Sequence, residues 1–301
     1  FKLGRLILKA VVFPGQGSQY VGMASEWYHA EPAVKKFVDQ ADEILGFSLS
    51  NIMFEGPEES LNQTKYTQPA LYVHSMALYQ TIKIIPDCVA GHSLGEFSAL
   101  TAAGVFSFEE GLKLVQLRGQ LMQDAGNQSS GAMGAVIGLE DDIVTQICKK
   151  ISEESNETVL PANFNSKGQI VISGHSNAVI LALKSFKTIG AKMALPLAVS
   201  GAFHSPLMQS AYDEFKLGLE KVSFSDANIP VYSNVNAKPY KSAKKLKNNI
   251  LQQIVKPVLW TQTIEHMVSD GVKEVVELGP GKVLQGLVKR IDSSLQLSGI
   301  Q

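Results

Sequence analysis

Three short apolar runs, each closed by glycine and each followed by helical spacing, constrain this chain more than any other feature. They are LILKAVVF before PGQG from Leu6, DCVA before GHSLG from Asp87, and KEVVEL before GPGK from Lys273. A run of this length stopped by Pro or Gly reads as a buried strand, and apolar residues at i, i+3 and i+4 behind it read as a helix. Strands alternating with helices build an α/β domain around a largely parallel sheet. Helical spacing also extends from Gly17 through Trp27 and covers residues 33–45, 69–85 and 108–125.

Between residues 131 and 199 the order changes. Strands are expected at 132–139, 159–163, 169–173 and 192–197, with helices at 141–151 and 177–188. This β-α-β-β-α-β order is the ferredoxin-like arrangement. The expected fold is therefore α/β: a hydrolase-like core with a largely parallel sheet, made discontinuously from residues 1–130 and 199–301, plus a small inserted ferredoxin-like subdomain at 131–198. After the insertion come a helix at 206–222, a strand at 229–232, a lysine-bearing loop and two more helices.

Composition excludes several function classes. With 45% hydrophobic residues among 301 the chain has ample material for a core. Its 18% charged content lies below the roughly 25% of an average globular protein, which argues against a long disordered segment. Twenty-seven basic against 28 acidic side chains leave a net charge of −1, so no overall field attracts nucleic acid. No apolar run approaches the ~18 residues of a membrane helix. Phe1 to Arg5 read as a trimmed or appended start rather than a secretory signal, because Lys9 and PGQG interrupt the apolar run. Cys88 and Cys148 form neither a metal spacing nor a disulfide framework, and fit a reducing, cytoplasmic compartment.

GHSLG, Gly91 to Gly95, matches the nucleophile-elbow pattern G-x-S-x-G between a strand and a helix. Glycines on both sides permit the crowded turn that presents the Ser93 hydroxyl, and the helix behind it aims free N–H groups at an oxyanion. A serine nucleophile needs a base. Of the six histidines, His29 and His74 lie in helical patterns at the surface or core edge, and His92 is expected to point away from Ser93. His204, in SGAFHSP, sits on a short loop behind a strand and ahead of an N-cap serine with Pro206 at the first helical position. Open α/β sheets place their sites at that edge. Arg118 falls on the interior stripe of its helix with Val115 and Met122, so its guanidinium calls for either a protein carboxylate or a bound anion. FPGQGSQ brings backbone close to a ligand but breaks the dinucleotide fingerprint, since the next glycine is Gly22. These residues describe a serine enzyme of acyl transfer or hydrolysis whose substrate carries an anionic group.

FPGQGSQ, GHSLGE, QLRGQ, GAFHS and QQIVKPVLW, in this order across nearly the whole chain, resemble the malonyl-CoA:acyl carrier protein transacylases of fatty acid synthesis. The resemblance implies that Ser93 takes the malonyl group as an ester and that His204 removes and returns the proton. It implies an oxyanion hole from the N–H groups of Gln16 and Leu94, and a carbonyl at Gln253 that orients His204 in place of an aspartate. Arg118 would hold the malonyl carboxylate, with Met122 and Asn163 lining the same cleft and Phe203 filling the space an α-methyl group needs. No cofactor and no metal are implied. The implied partners are malonyl-CoA and acyl carrier protein, with no nucleic acid or membrane, and a monomer is expected. KPYKSAKKLKNN, bearing Lys238, Lys241, Lys244, Lys245 and Lys247, is either a docking face for an acidic carrier or a solvated face. Two rivals remain at this level. One is an α/β-hydrolase esterase or thioesterase using Asp226 and His266; the other is a non-catalytic carrier-binding protein.

Overall fold

Alternation along the first strand divides the core in two. The structure, a computed structural model, describes residues 7–301; Leu6 and the segment before it lie outside the described residues. β1 (Leu8–Phe13) is buried over its last four positions. Val11 and Phe13 point into one apolar cluster with Val73, Leu100 and Val115, while Ala10 and Val12 point into another with Trp260, Ile264 and Leu284. Burial on both faces is what a central parallel strand requires.

The other described strands are β2 (Cys88–Gly91), β3 (Gly131–Ile137), β4 (Val159–Ser166), β5 (Gln169–His175), β6 (Met193–Pro196), β7 (Val231–Tyr232), β8 (Pro239–Tyr240), β9 (Val272–Leu278) and β10 (Gln296–Ile300). Six form one sheet in the order β10-β9-β1-β2-β7-β8, parallel throughout except for the short β7–β8 pair. The other four form an antiparallel sheet, β4-β5-β3-β6, with helices Asp141–Ser155 and Ser176–Thr188 packed through Val144, Cys148, Val179 and Phe186 into its own cluster. β4 is tied to the larger part through Val258, a residue outside both sheets that packs in the same cluster as Ala10 and Val12: Phe164 N donates to Val258 O at 2.9 Å and Val258 N to Ala162 O at 2.9 Å.

Several boundaries differ from the sequence expectation. The helix expected from Pro69 begins at Thr64 and ends at Thr81, with Pro69 inside it. Its first turn is held by Thr67 Oγ1 bonding the carbonyls of Leu61 and Gln63, side-chain support that apolar spacing does not register. Only the end of the segment after Gly17 becomes α-helix, Ser25–Ala30. The 206–222 segment divides into a 3-10 turn, Pro206–Met208, and the helix Gln209–Glu220. β10 has no counterpart in the sequence pattern, because a half-exposed edge strand lacks a continuous apolar run. Among the described residues no helix is long and apolar enough to cross a membrane.

Candidate active site

The loops that follow β1 and β2 converge at the carboxyl edge of the large sheet, where α/β folds place their ligands. Ser93 sits between β2 and the helix Gly95–Ala102 with φ 51, a left-handed conformation that is costly for a residue with a Cβ. Its neighbours show why the turn needs glycine. A Cβ on Gly91 would fall 1.8 Å from the Gly95 carbonyl carbon, and one on Gly95 would fall 2.0 Å from the Phe13 carbonyl oxygen. Asn234, which follows β7, pins the turn from below. Its Oδ1 accepts from Ser93 N at 2.7 Å and its Nδ2 donates to Gly91 O at 2.7 Å.

Ser93 Oγ lies 2.8 Å from His204 Nε2, and His204 Nδ1 lies 2.7 Å from the main-chain oxygen of Gln253. A carbonyl only accepts, so Nδ1 carries the proton and Nε2 is left as the acceptor for the serine hydroxyl. His204 is 3% exposed. Burial first, and then the positive charge of Arg118, hold its pKa down to about 3, so the imidazole rests neutral and ready to accept a proton. The loop carrying it rests on the helix Phe108–Gln128 at a point where only a glycine fits, since a Cβ on Gly126 would meet Ser200 O at 2.1 Å.

That helix starts in a capping box, with Ser107 and Glu110 satisfying each other's backbone N–H groups. Eight positions beyond Glu110, Arg118 is 1% exposed. Its guanidinium donates to Gln68 Oε1 at 2.8 Å, Gln253 Oε1 at 2.9 Å and Ser93 Oγ at 3.2 Å. Among the described residues it forms no ion pair, and its Nε has no partner. A cavity of about 150 Å³ opens over these groups, lined by Ser93, His204, Arg118, Gln16 and Leu94 and walled by Met122, Met133, Asn163 and Phe203. Among the described residues the amides of Gln16 and Leu94 donate to no protein acceptor, and Leu94 stands at the N-terminal end of a helix. The arrangement can deprotonate a serine, stabilise an oxyanion and hold a carboxylate in one small space.

Residues 10–297 match the family model described as the acyl transferase domain. The malonyl CoA-acyl carrier protein transacylase of Bacillus subtilis strain 168 is 44% identical over 95% of this chain and 91% of its own. That of Escherichia coli K12 is 43% identical over 97% and 95%. A solved malonyl-transacylase in complex with its holo type II polyketide acyl-carrier protein superposes with a TM-score of 0.94 at 42% identity, covering 97% of this chain and 96% of that one. The chain belongs to the malonyl-CoA:acyl carrier protein transacylase family of acyl transferases.

In this acyltransferase the residues expected from sequence gather in one place. Ser93, His204, Arg118, Gln16, Leu94, Met122, Asn163 and Phe203 line the cavity, and Gln253 lies fully buried behind it, touching His204 through its main chain and Arg118 through its side chain. His92 departs from expectation. It lines the same cavity, its Nε2 2.7 Å from Asn165 Oδ1, because the left-handed turn at Ser93 keeps the preceding side chain on the cleft side. His74 is fully buried rather than at a core edge. Asp226 and His266 are not brought together in the acyltransferase: Asp226 caps the helix Ala243–Gln252 at Ala243 N, and His266 lies 3.8 Å from Asp270. Sequence reasoning missed Gln68, Glu96 and Asn234. Each is a buried polar side chain, and only Glu96, three residues beyond Ser93 on a helix that is buried all round, carried a visible signal.

Proposed function

We propose that the enzyme transfers the malonyl group from malonyl-CoA to the phosphopantetheine thiol of acyl carrier protein through a malonyl ester on Ser93, supplying extender units for fatty acid synthesis. The observation that carries this reading is Arg118, a buried guanidinium that pairs with no carboxylate among the described residues and reaches the Ser93 oxygen at 3.2 Å. An acyl group bound as an ester on Ser93 with a free carboxylate at its far end would meet the planar fork.

His204 Nε2 takes the Ser93 proton as Oγ attacks the thioester carbonyl. The oxyanion is held by the Gln16 and Leu94 N–H groups, and its collapse expels coenzyme A, which leaves with the proton returned by His204. The carrier thiol then gives its proton to His204 and attacks the ester, and Ser93 departs with that proton. Gln253 O stabilises the imidazolium in both halves, the part an aspartate plays in a triad. An acetyl donor leaves the guanidinium unpaired, which discriminates more strongly than an apolar pocket does, and Phe203 opposes an α-methyl branch. We further propose a cytoplasmic monomer needing no cofactor. Its division is a hydrolase-like part, 1–130 with 199–301, and a ferredoxin-like part, 131–198, a reading supported by the β4-β5-β3-β6 strand order.

The test is mass spectrometry after incubation with malonyl-CoA. A malonyl adduct on Ser93 is expected in the wild type and in His266→Ala, and its loss in His204→Ala. No adduct on folded wild-type protein refutes transfer, and loss only in His266→Ala favours the esterase.

A further inference from the structure

Glu96 is a buried ionisable group that the transfer steps leave unused. It is 1% exposed, in the first turn of the helix behind Ser93. Its Oε2 accepts from Gln253 Nε2 at 2.7 Å and from Asn234 N at 3.2 Å. Gln253 is the hub of the site. Its Oε1 accepts from Arg118 Nη2 at 2.9 Å, its main-chain oxygen accepts from His204 Nδ1 at 2.7 Å, and its Nε2 also donates to Ser93 O at 2.9 Å. A guanidinium only donates and an ionised carboxylate only accepts. The amide of Gln253 therefore has one orientation, oxygen toward Arg118 and nitrogen toward Glu96. The carboxylate fixes the amide, the amide fixes the guanidinium, and the same residue's main chain fixes the imidazole.

We propose that Glu96 is a positioning residue whose negative charge, acting through and beside Gln253, sets how tightly Arg118 binds the acyl carboxylate and how readily His204 takes the serine proton. This rests on the roles given above to Arg118 and His204. The charge acts on the two groups in opposite senses. It offsets part of the guanidinium's positive potential and so weakens the hold on an incoming carboxylate, while it stabilises the imidazolium formed in the attack. Removing the charge but keeping the hydrogen bonds lowers kcat and KM together. Losing the packing or the hydrogen bonds lowers kcat and raises KM.

Titration supports the same geometry. The helix Gly95–Ala102 packs against elements bearing Lys9, Tyr72, His74, Cys88 and Arg118, and of these only Arg118 acts on Glu96 through its charge. His92 and His204 lie across Ser93. The other groups that bond the carboxylate, Gln253 Nε2 and Asn234 N, are neutral donors. Burial pushes the Glu96 pKa up to about 7 against these hydrogen bonds, so its charge turns over near neutrality.

The experiment compares Glu96→Gln, whose amide oxygen can accept from the same two donors, with Glu96→Ala. Steady-state acylation by malonyl-CoA is measured between pH 5.5 and 8, alongside the rate at which uncharged phenylmethanesulfonyl fluoride labels Ser93. In Glu96→Gln, kcat is expected to fall about tenfold, equivalent to one pKa unit at His204, and KM for malonyl-CoA to fall roughly three- to tenfold. The rise of kcat through neutral pH seen in the wild type is expected to vanish, since His204 itself stays neutral to about 3. In Glu96→Ala, KM is expected to rise instead. Wild-type kcat, KM and pH profile in Glu96→Gln overturn the proposal, as does a lower kcat with KM unchanged or raised. Absence of a malonyl adduct on the wild type is a separate failure, that of the transfer reading. In that event the sulfonyl fluoride rate still decides: about tenfold slower in Glu96→Gln supports the hold on His204, and equal rates overturn it.

Discussion

Replacing Arg118 by Ala separates the two things a buried guanidinium can do. In the free enzyme it donates to Gln68, Gln253 and Ser93 and forms no ion pair among the described residues. In the proposed transfer a malonyl donor brings the carboxylate that completes the fork, while an acetyl donor does not. Removing one partner of a buried, hydrogen-bonded charge pair costs about 2–5 kcal/mol. Taking about 3–4 kcal/mol, and about 1.4 kcal/mol per factor of ten, kcat/KM for malonyl-CoA should fall on the order of 10²–10³-fold. Residual acetyl transfer loses only the neutral contacts to Gln68, Gln253 and Ser93, about tenfold or less. The assay is the ratio of kcat/KM for the two donors in the wild type and the variant, with thermal unfolding run beside it because Gln68 and Gln253 lose a donor. Arg118→Lys keeps the charge without the planar fork and should fall between them. Equal losses with both donors would mean that the guanidinium supports the site's structure only, and the selectivity argument would be refuted.

Two further outcomes can be checked. His74 is buried, with both ring nitrogens unpartnered among the described residues, and burial holds its pKa down to about 3; the unfolded chain binds a proton below about 6.5 that the folded one refuses, so the contribution of this ring to stability is constant above that pH and lost as pH falls toward 3. His74→Leu should reduce the slope of urea-measured stability between pH 6 and 4 by about 1.4 kcal/mol per pH unit, and an unchanged slope would count against a neutral, buried ring. Charge reversal at exposed Lys244 and Lys245 should raise KM for the carrier protein and leave that for malonyl-CoA unchanged; Lys247 is unsuitable, since its Nζ donates to Val222 O and lies over the Phe224 ring. An unchanged carrier KM would leave these lysines as a solvated face.

The site residues legible from sequence share a local signature. Ser93 stands in a glycine-bounded turn between strand and helix, His204 precedes a serine cap and a proline, and Arg118 breaks an apolar stripe. Each is an anomaly within about ten residues of chain, which periodicity can detect. Gln253 entered only through family resemblance, and sequence left open whether its side chain or main chain meets His204. The structure has both at work, the main chain on His204 and the side chain on Arg118 and Glu96. Gln68 and Asn234 carry no local anomaly, since a glutamine in a helix and an asparagine after a strand are ordinary at the surface. Their meaning comes from burial and from partners 50 and 141 positions away.

The sequence by itself determined that this chain builds a largely parallel α/β sheet with an inserted antiparallel unit, because strand and helix periods and glycine stops are properties of neighbouring residues. It also determined which serine, histidine and arginine stand out. Only the tertiary structure decided that Arg118 meets amide oxygens rather than a carboxylate, and that His92 faces the cavity. It alone decided that Glu96 lies at the base of the site. Those outcomes depend on what a side chain meets once the solvent is gone. A buried charge or amide must be satisfied by whatever the fold brings within about 3 Å, and the fold draws those partners from chain segments that no local pattern connects.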